Sequence, residues 1–361
     1  MPSILFVVPH RSNRAPSQRF RFEQYIRIWQ QAGYRCTMAP LISEHTDTIF
    51  YHPSSLFRKA LLFANLLFIR LKHVIQSSAY DIVFIQREAF MTGTTFFEKQ
   101  FKRSGAKIIY DFDDAIWHHD VSEANKKFAL LKRPQKTAQI IAMSDLVIAG
   151  NYYLKQYALQ YNQQVLIIPT TIDTNNYIKK AVPRTKSGIC IGWSGSVTTI
   201  KHFILAVPVL ERLKKHCGHN IYFKVIGDDT YLNEALEIQG IKWNEATEID
   251  DLSEIDIGIM PLPNDEWSKG KCGLKGLQYM ALEIPTVMAA VGVNTEIIVE
   301  GVNGYLAEDE NMWFEKILAL INQPQLRQKM GKAARQTVIE KYSIHSQQQN
   351  YLNCTTQILS S

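Results

Sequence analysis

The sequence predicts an α/β protein made of two Rossmann-like, doubly wound domains. Three observations predict it. The chain has 361 residues, more than one hydrophobic core ordinarily organises. Short runs rich in Val and Ile alternate with longer segments of helical period, the pattern of parallel strands covered by helices. This alternation lapses into a polar stretch and then restarts. The expected division is residues 1–170 for the first domain, 171–187 for a linker, 188–343 for the second domain and 344–361 for a terminal helix that returns to the first.

The first strand is expected at 4–8, a run too short for a signal peptide and without its basic lead or cleavage site. Further strands of this domain are expected at 36–39, 82–86, 107–111, 146–149 and 165–168. Between the first two strands, the loop from His10 carries Arg11, Arg14, Arg19 and Arg21, whose forked guanidinium groups suit an anionic acceptor. Residues 57–75 interleave Leu and Phe with Arg58, Lys59, Arg70, Lys72 and His73. That composition fits either a sheet-covering helix or one lying on an anionic membrane surface. Its longest apolar run, 61–69, is interrupted by Asn65 and falls short of the roughly 20 residues that span a bilayer. After the polar stretch with Pro183, strands restart at 189–193, 222–226, 241–243, 257–260 and 286–289. Pro208 is expected to kink or break the helix around it, and helices are expected at 324–342 and 344–359.

Composition excludes several classes. Hydrophobic residues make up 46% of the chain, so two cores can form and disorder is not expected. The five cysteines are scattered and never paired as C-x-x-C, which argues against a disulfide framework and a thiolate metal site. A reducing cytoplasm, with a peripheral place on the cytoplasmic membrane face, is the expected location. His216 and His219 flank Gly218, which reads as a helix terminator rather than part of a zinc site. A formal charge of +6 without a nucleic-acid motif gives no reason to expect nucleic-acid binding.

Chemistry in open parallel sheets sits beyond the carboxyl ends of the strands, where helix amino termini present free N–H groups. Two such loops stand out. Gly192-Trp193-Ser194-Gly195-Ser196 leaves a strand and leads to Lys201, with small residues that let backbone approach a phosphate. Gly270-Lys271-Cys272-Gly273-Leu274-Lys275 feeds a short apolar helix, and its two lysines and the N–H groups near Gly273 can neutralise a diphosphate. A capped tight turn and a solvated basic loop are the plainer readings of the same residues. In the first half, Asp111, Asp113 and Asp114 with His118 and His119 follow a buried strand. They are candidates for orienting an acceptor hydroxyl or stabilising developing positive charge. They also fit a Mg²⁺-dependent phosphatase, or plain structural pairing with arginines.

Several motifs together resemble the donor domain of glycosyltransferase family 4. They are Trp193-Ser194-Gly195-Ser196, Val225-Ile226-Gly227, Asp256-Ile257-Gly258-Ile259-Met260-Pro261-Leu262, Tyr279-Met280-Ala281-Leu282-Glu283-Ile284-Pro285 and Glu296-Ile297-Ile298 with Gly301-Val302-Asn303-Gly304. Ser144-Asp145-Leu146-Val147 and Ile167-Ile168-Pro169 resemble the acceptor domain of the same family. The resemblance implies a GT-B fold of two facing domains around a cleft, a nucleotide-diphosphate sugar as donor substrate, retention of anomeric configuration, and neither metal nor other cofactor.

The sequence departs from the family where two glutamates eight positions apart are usual, because those positions hold Gly270 and Gln278. Gln278 can still bond a ribose hydroxyl, and Asp265 or Glu266 is the expected stand-in for the missing carboxylate. Gly227 and the backbone near Lys242 and Trp243 complete the expected donor site. The expected function is glycosyl transfer to an acceptor hydroxyl on a glycan or lipid-linked molecule, in surface glycan or glycoconjugate synthesis. The alternatives are a GT-B-like nucleotide-sugar-binding protein without catalysis and the phosphatase.

Overall fold

A computed structural model describes residues 1–51, 56–118, 133 and 135–360. The chain forms two compact units, Met1–Thr170 with Gln347–Ser361, and Thr171–Ser346.

The first unit is built on six parallel strands: β1 (Ser3–His10), β2 (Arg35–Ile42), β3 (Ile82–Gln86), β4 (Lys107–Phe112), β5 (Leu146–Ala149) and β6 (Val165–Ile167). Their order in the sheet is β2-β1-β3-β4-β5-β6. β1, β3, β4 and β5 are nearly continuous runs of buried apolar residues, as strands covered on both faces must be. On one face Phe6 stacks on Phe22, with ring centres 5.1 Å apart, and Trp29 packs beside both Phe6 and Phe84. The terminal helix Ile344–Ser360 closes this core, placing the buried Tyr351 4.3 Å from Tyr25 and 5.4 Å from Trp29.

The second unit holds β7 (Ile189–Ser194), β8 (Ile221–Ile226), β9 (Leu232–Asn233), β10 (Ile238–Gln239), β11 (Ile257–Met260), β12 (Thr286–Ala289) and β13 (Tyr305–Ala307). β9 and β10 pair as a small antiparallel ribbon, and the other five form a parallel sheet in the order β13-β12-β11-β7-β8. The helix around Pro208 is divided into Ile200–Ile204 and Val207–Cys217, with the proline in the first turn of the second piece. There its missing N–H costs no helical bond.

Two expectations need correction. Residues 241–243 do not form a strand, since Ile241 makes only an isolated bridge to Ile226 while Lys242 is exposed. The fifth strand of the sheet is instead β13, whose half-buried Tyr305 and Leu306 lack the apolar run of a central strand. Residues 171–187, expected as a linker between the domains, group with the second unit, although 178–187 are mostly exposed. Arg184 makes two hydrogen bonds to Asp256, at 2.7 and 2.8 Å, and Thr185 donates to Glu254. Arg335 donates to the carbonyls of Thr174 and Tyr177. The polar composition that suggested a linker supplies these bonds.

Candidate active site

Each parallel sheet reverses its winding between two neighbouring strands, the point at which open α/β sheets bind ligands. In the second unit the reversal lies between β7 and β11, because β7 leads to β8 on one side while β11 leads to β12 and β13 on the other. The loops leaving these two strands carry the residues singled out for the donor.

At the end of β7, the buried Ser194 donates its N–H to Tyr279 Oη at 2.6 Å, which ties the strand to helix Leu274–Ala281. The Gly195 N–H donates to the Ile226 carbonyl at 2.8 Å. Gly227 has φ +112°, and a Cβ there would strike the Gly195 carbonyl, while a Cβ on Gly195 would strike the Trp193 indole. The loops after β7 and β8 therefore approach as closely as they do only with glycine at both positions. Ser196 and Thr199 form a reciprocal capping box, so Ser196 opens the short helical turn before Lys201.

Three lysines from the two loops act on one buried group. Lys275 donates to Thr199 Oγ1 at 3.5 Å and lies 4.7 Å from the Trp193 ring centre. Lys271 lies 4.7 Å from that of Trp267, and Lys201 is exposed on helix Ile200–Ile204. His202 is 3% exposed, and its Nδ1 has no hydrogen-bond partner among the described residues. Burial first, then the charges of Lys275, Lys271 and Lys201, push its pKa from 6.5 down to about 4. The carboxylate of Asp265 opposes them. The imidazole thus sits in a positive field suited to a multiply charged anion.

The expected carboxylate stand-ins have other partners. Asp265 caps helix Glu266–Lys269 by accepting the Ser268 N–H at 2.7 Å, and Glu266 pairs with Lys269 at 2.5 Å. The unpaired N–H groups of that helix start take the acidic side chain expected to replace the missing glutamate. Cys272 is buried, with its Sγ 3.9 Å from the Gly270 carbonyl, and Gly273 is the cap of helix Leu274–Ala281. Gln278 is buried and donates to both Tyr177 Oη and Glu248 Oε1, each at 3.1 Å. Glu248, also buried, accepts from Tyr177 Oη at 2.5 Å and from Trp243 Nε1 at 2.8 Å. The Trp243 indole N–H is thus directed into the domain rather than to a ligand. With both amide hydrogens used, Gln278 offers Oε1 as an acceptor.

In the first unit the reversal lies between β1 and β3. Arg21, expected to grip an acceptor, is fully buried and bonded to Asp111, Nη2 to Oδ1 at 2.5 Å and Nε to Oδ2 at 3.3 Å, and to the Ile168 carbonyl. Asp111 is equally buried, so neither residue of this pair can meet a substrate. Complete burial lifts the Asp111 carboxyl above its ordinary range while the Arg21 guanidinium pulls it back. Arg11 and Arg14 hold Asp47 at 2.9 and 2.8 Å, and Arg19 lies over the Phe20 ring at 4.4 Å. Asp113 and Asp114 grip Arg87 at 2.8 and 2.5 Å. Burial opposes the charge on Arg87, but the two carboxylates hold its pKa above the usual value. His118 Nε2 is 3.2 Å from Tyr153 Oη, and His119 lies outside the described residues. All three aspartates thus have arginine partners, the plainer of the readings given for them.

Sequence reasoning missed Arg87, His202 and Glu248. Arg87 had a usable signal, since it follows β3 immediately, at the carboxyl edge where function concentrates. It is also a non-glycine residue at φ +61°, a strained conformation that clusters at such edges. His202 follows Lys201 directly, but its burial was invisible in the sequence.

Comparison with known proteins adds the family. The model for "Glycosyl transferases group 1" matches residues 188–323. Residues 188–323 thus form a domain similar to the group 1 glycosyltransferases. The fold of the chain is GT-B. Residues 1–361 align over 99% of their length with 98% of a glycosyltransferase from Rickettsia africae, at 16% identity and a TM-score of 0.70. HepE of Anabaena, solved with UDP-glucose, is similar over 99% of this chain and 100% of its own, at 12% identity and TM-score 0.70. Sucrose-phosphate synthase of Thermosynechococcus elongatus covers 100% of both chains, at 13% identity and TM-score 0.68. No curated protein sequence matches the chain. The family match falls on the unit that holds the lysine loops, which makes that unit the glycosyltransferase domain.

Proposed function

We propose that this protein is a glycosyltransferase that moves a sugar from a nucleoside diphosphate to an acceptor hydroxyl, with retention of configuration and without a metal. The observation that carries this reading is the positive field at His202, made by Lys201, Lys271 and Lys275 at the reversal of the second sheet. A diphosphate is the ligand whose charge such a field favours. It is also the leaving group, and its negative charge grows as the bond from the anomeric carbon to the β-phosphate oxygen breaks. Fixed cations and the N–H groups at the start of helix Leu274–Ala281 stabilise that charge as it develops, and held geometry supplies much of the remaining rate. Gln278 Oε1 is the acceptor offered to a ribose hydroxyl.

UDP is the first nucleotide to test, because HepE was solved with UDP and with UDP-glucose. The acceptor we favour is a glycan or lipid-linked molecule at the cytoplasmic face, recognised on the first domain near Arg11, Arg14 and Arg87. Another neighbour, WaaB, is a lipopolysaccharide outer core galactosyltransferase. Gly270, in place of a carboxylate, keeps a second reading open, a nucleotide-sugar-binding protein without turnover. A thermal-shift panel of UDP, GDP, ADP and dTDP, followed by turnover with the matching donors, separates the two. Stabilisation by one nucleotide and product from its sugar donor are expected. No stabilisation by any of the four would overturn the donor assignment, and binding without transfer or donor hydrolysis would favour the second reading.

A further inference from the structure

Among the described residues, nothing covers one face of helix Leu56–Ser77 of the first domain. Phe57, Leu61, Ala64, Phe68, Leu71 and Ile75 are all exposed, with Phe57 at 72%, Phe68 at 71% and Ile75 at 77%. At 3.6 residues per turn they fall within an arc of roughly 80°, so they form one continuous apolar stripe. The opposite face is buried through Leu62, Leu66 and Ser77. It is also pinned by the fully buried Arg70, whose guanidinium donates to the carbonyls of Val8, at 2.9 Å, and Ala39, at 3.0 Å.

By length and composition alone the helix could cross a membrane. The Arg70 anchor decides against that, because a spanning orientation would tear a buried guanidinium from the carbonyls of β1 and of the edge strand β2. A helix fixed flat on its domain can only present its stripe sideways.

Charge selects the occupant. The helix carries no Asp or Glu, and Arg58 and Lys72 lie along one flank of the stripe. The neighbouring helix Phe96–Arg103 packs against it, linked through Phe63, Phe90 and Phe97. Phe96, Lys99 and Arg103 fall on one exposed row of this second helix, and its one carboxylate, Glu98, is buried. Two adjoining helices thus present exposed aromatic and aliphatic groups bordered by cations, with no exposed carboxylate of their own.

We infer that this surface docks the first domain onto an anionic lipid bilayer, with the stripe at the depth of the headgroup and acyl boundary and the cations among the lipid phosphates. Apolar area supplies affinity, and the flanking charge supplies preference for anionic lipid. The inference does not depend on which nucleotide the second domain binds.

The test is co-sedimentation of the full chain with phosphatidylcholine vesicles and with phosphatidylcholine–phosphatidylglycerol vesicles. The wild type should pellet with the anionic vesicles and be released by salt. Phe68→Ser/Ile75→Ser should lower that partition about tenfold or more, and Lys72→Glu/Lys99→Glu should abolish the preference for anionic lipid. Unchanged melting temperatures would show that both variants remain folded, as expected for exposed positions. Wild type left in the supernatant with both vesicles overturns the proposal, as does undiminished binding by Phe68→Ser/Ile75→Ser. Light scattering that finds a wild-type dimer made monomeric by that same variant would assign the stripe to a second copy of the chain instead.

Discussion

The Gln278 amide donates to Glu248 Oε1 at 3.1 Å, and the carboxylate receiving it is buried with Tyr177 and Trp243 as its other donors. This pairing suits an amide at the position where the family resemblance implied a glutamate. Two carboxylates at that separation, both out of water, cannot both stay ionised. The departure in sequence is therefore coupled to a carboxylate thirty positions earlier.

Gln278→Glu is expected to destabilise the glycosyltransferase domain at neutral pH by about 2–4 kcal/mol, the range for an uncompensated buried charge. The introduced carboxyl would have a folded pKa raised above its unfolded one, so the loss should shrink as pH falls toward 5. Glu248→Gln added to it should recover most of the stability. Urea unfolding of the two variants checks this, and a single variant within about 0.5 kcal/mol of wild type would rule the coupling out.

Lys275→Ala should weaken nucleotide diphosphate binding by roughly one to two orders of magnitude, since a charge-assisted contact to phosphate is lost at an otherwise intact site. The melting temperature without nucleotide should change little. Calorimetric titration with the best nucleotide is the measurement, and an unaltered affinity would remove Lys275 from the site.

His202 gives a pH dependence of defined sign. Its folded pKa of about 4 lies below the ordinary 6.5, so between these values the unfolded chain takes up a proton that the folded chain refuses. Its contribution is full above pH 6.5 and is lost as pH falls toward 4. His202→Gln should flatten the fall in stability between pH 7 and pH 5 relative to wild type, as read from urea midpoints. A slope identical to wild type would show that the imidazole is not buried in its neutral form.

The Arg21–Asp111 pair predicts a loss that imitates a catalytic defect. Arg21→Met should cost about 3–5 kcal/mol by stranding a buried carboxylate, and Arg21→Met/Asp111→Leu should regain much of it. Activity of the double variant should follow its folded fraction. A well-folded double variant without activity would return Asp111 or Arg21 to the reaction.

Chelation provides the last check. Nucleotide binding and turnover should persist in EDTA, because the lysines and helix N–H groups supply the positive charge that a metal would otherwise bring. Complete loss restored by Mg²⁺ would reject the metal-independent reading.

Most strands were legible because parallel strands covered on both faces must be apolar throughout, and Ile82–Gln86 and Leu146–Ala149 coincide with the runs read from the sequence. β13 was not, since a three-residue edge strand with two half-buried members carries no such run. The loops of the donor site were legible through small residues beside lysines. What those residues bond to was not. Arg21 and Asp111 are 90 positions apart, and only the folded sheet brings them together. Arginines in a loop after a strand look alike whether they face solvent or the core, and burial separates Arg21 from Arg14.

Tyr351 fills the space between Tyr25 and Trp29, and so joins the two ends of the sequence within one core. On the ribosome, the first domain emerges early but must wait for the final helix, while the intervening domain is contiguous and can complete itself sooner. The order of synthesis and the order of maturation are therefore reversed. A nascent chain halted before residue 347 leaves its leading domain with an uncovered aromatic surface, the kind of exposure that recruits chaperones and invites aggregation.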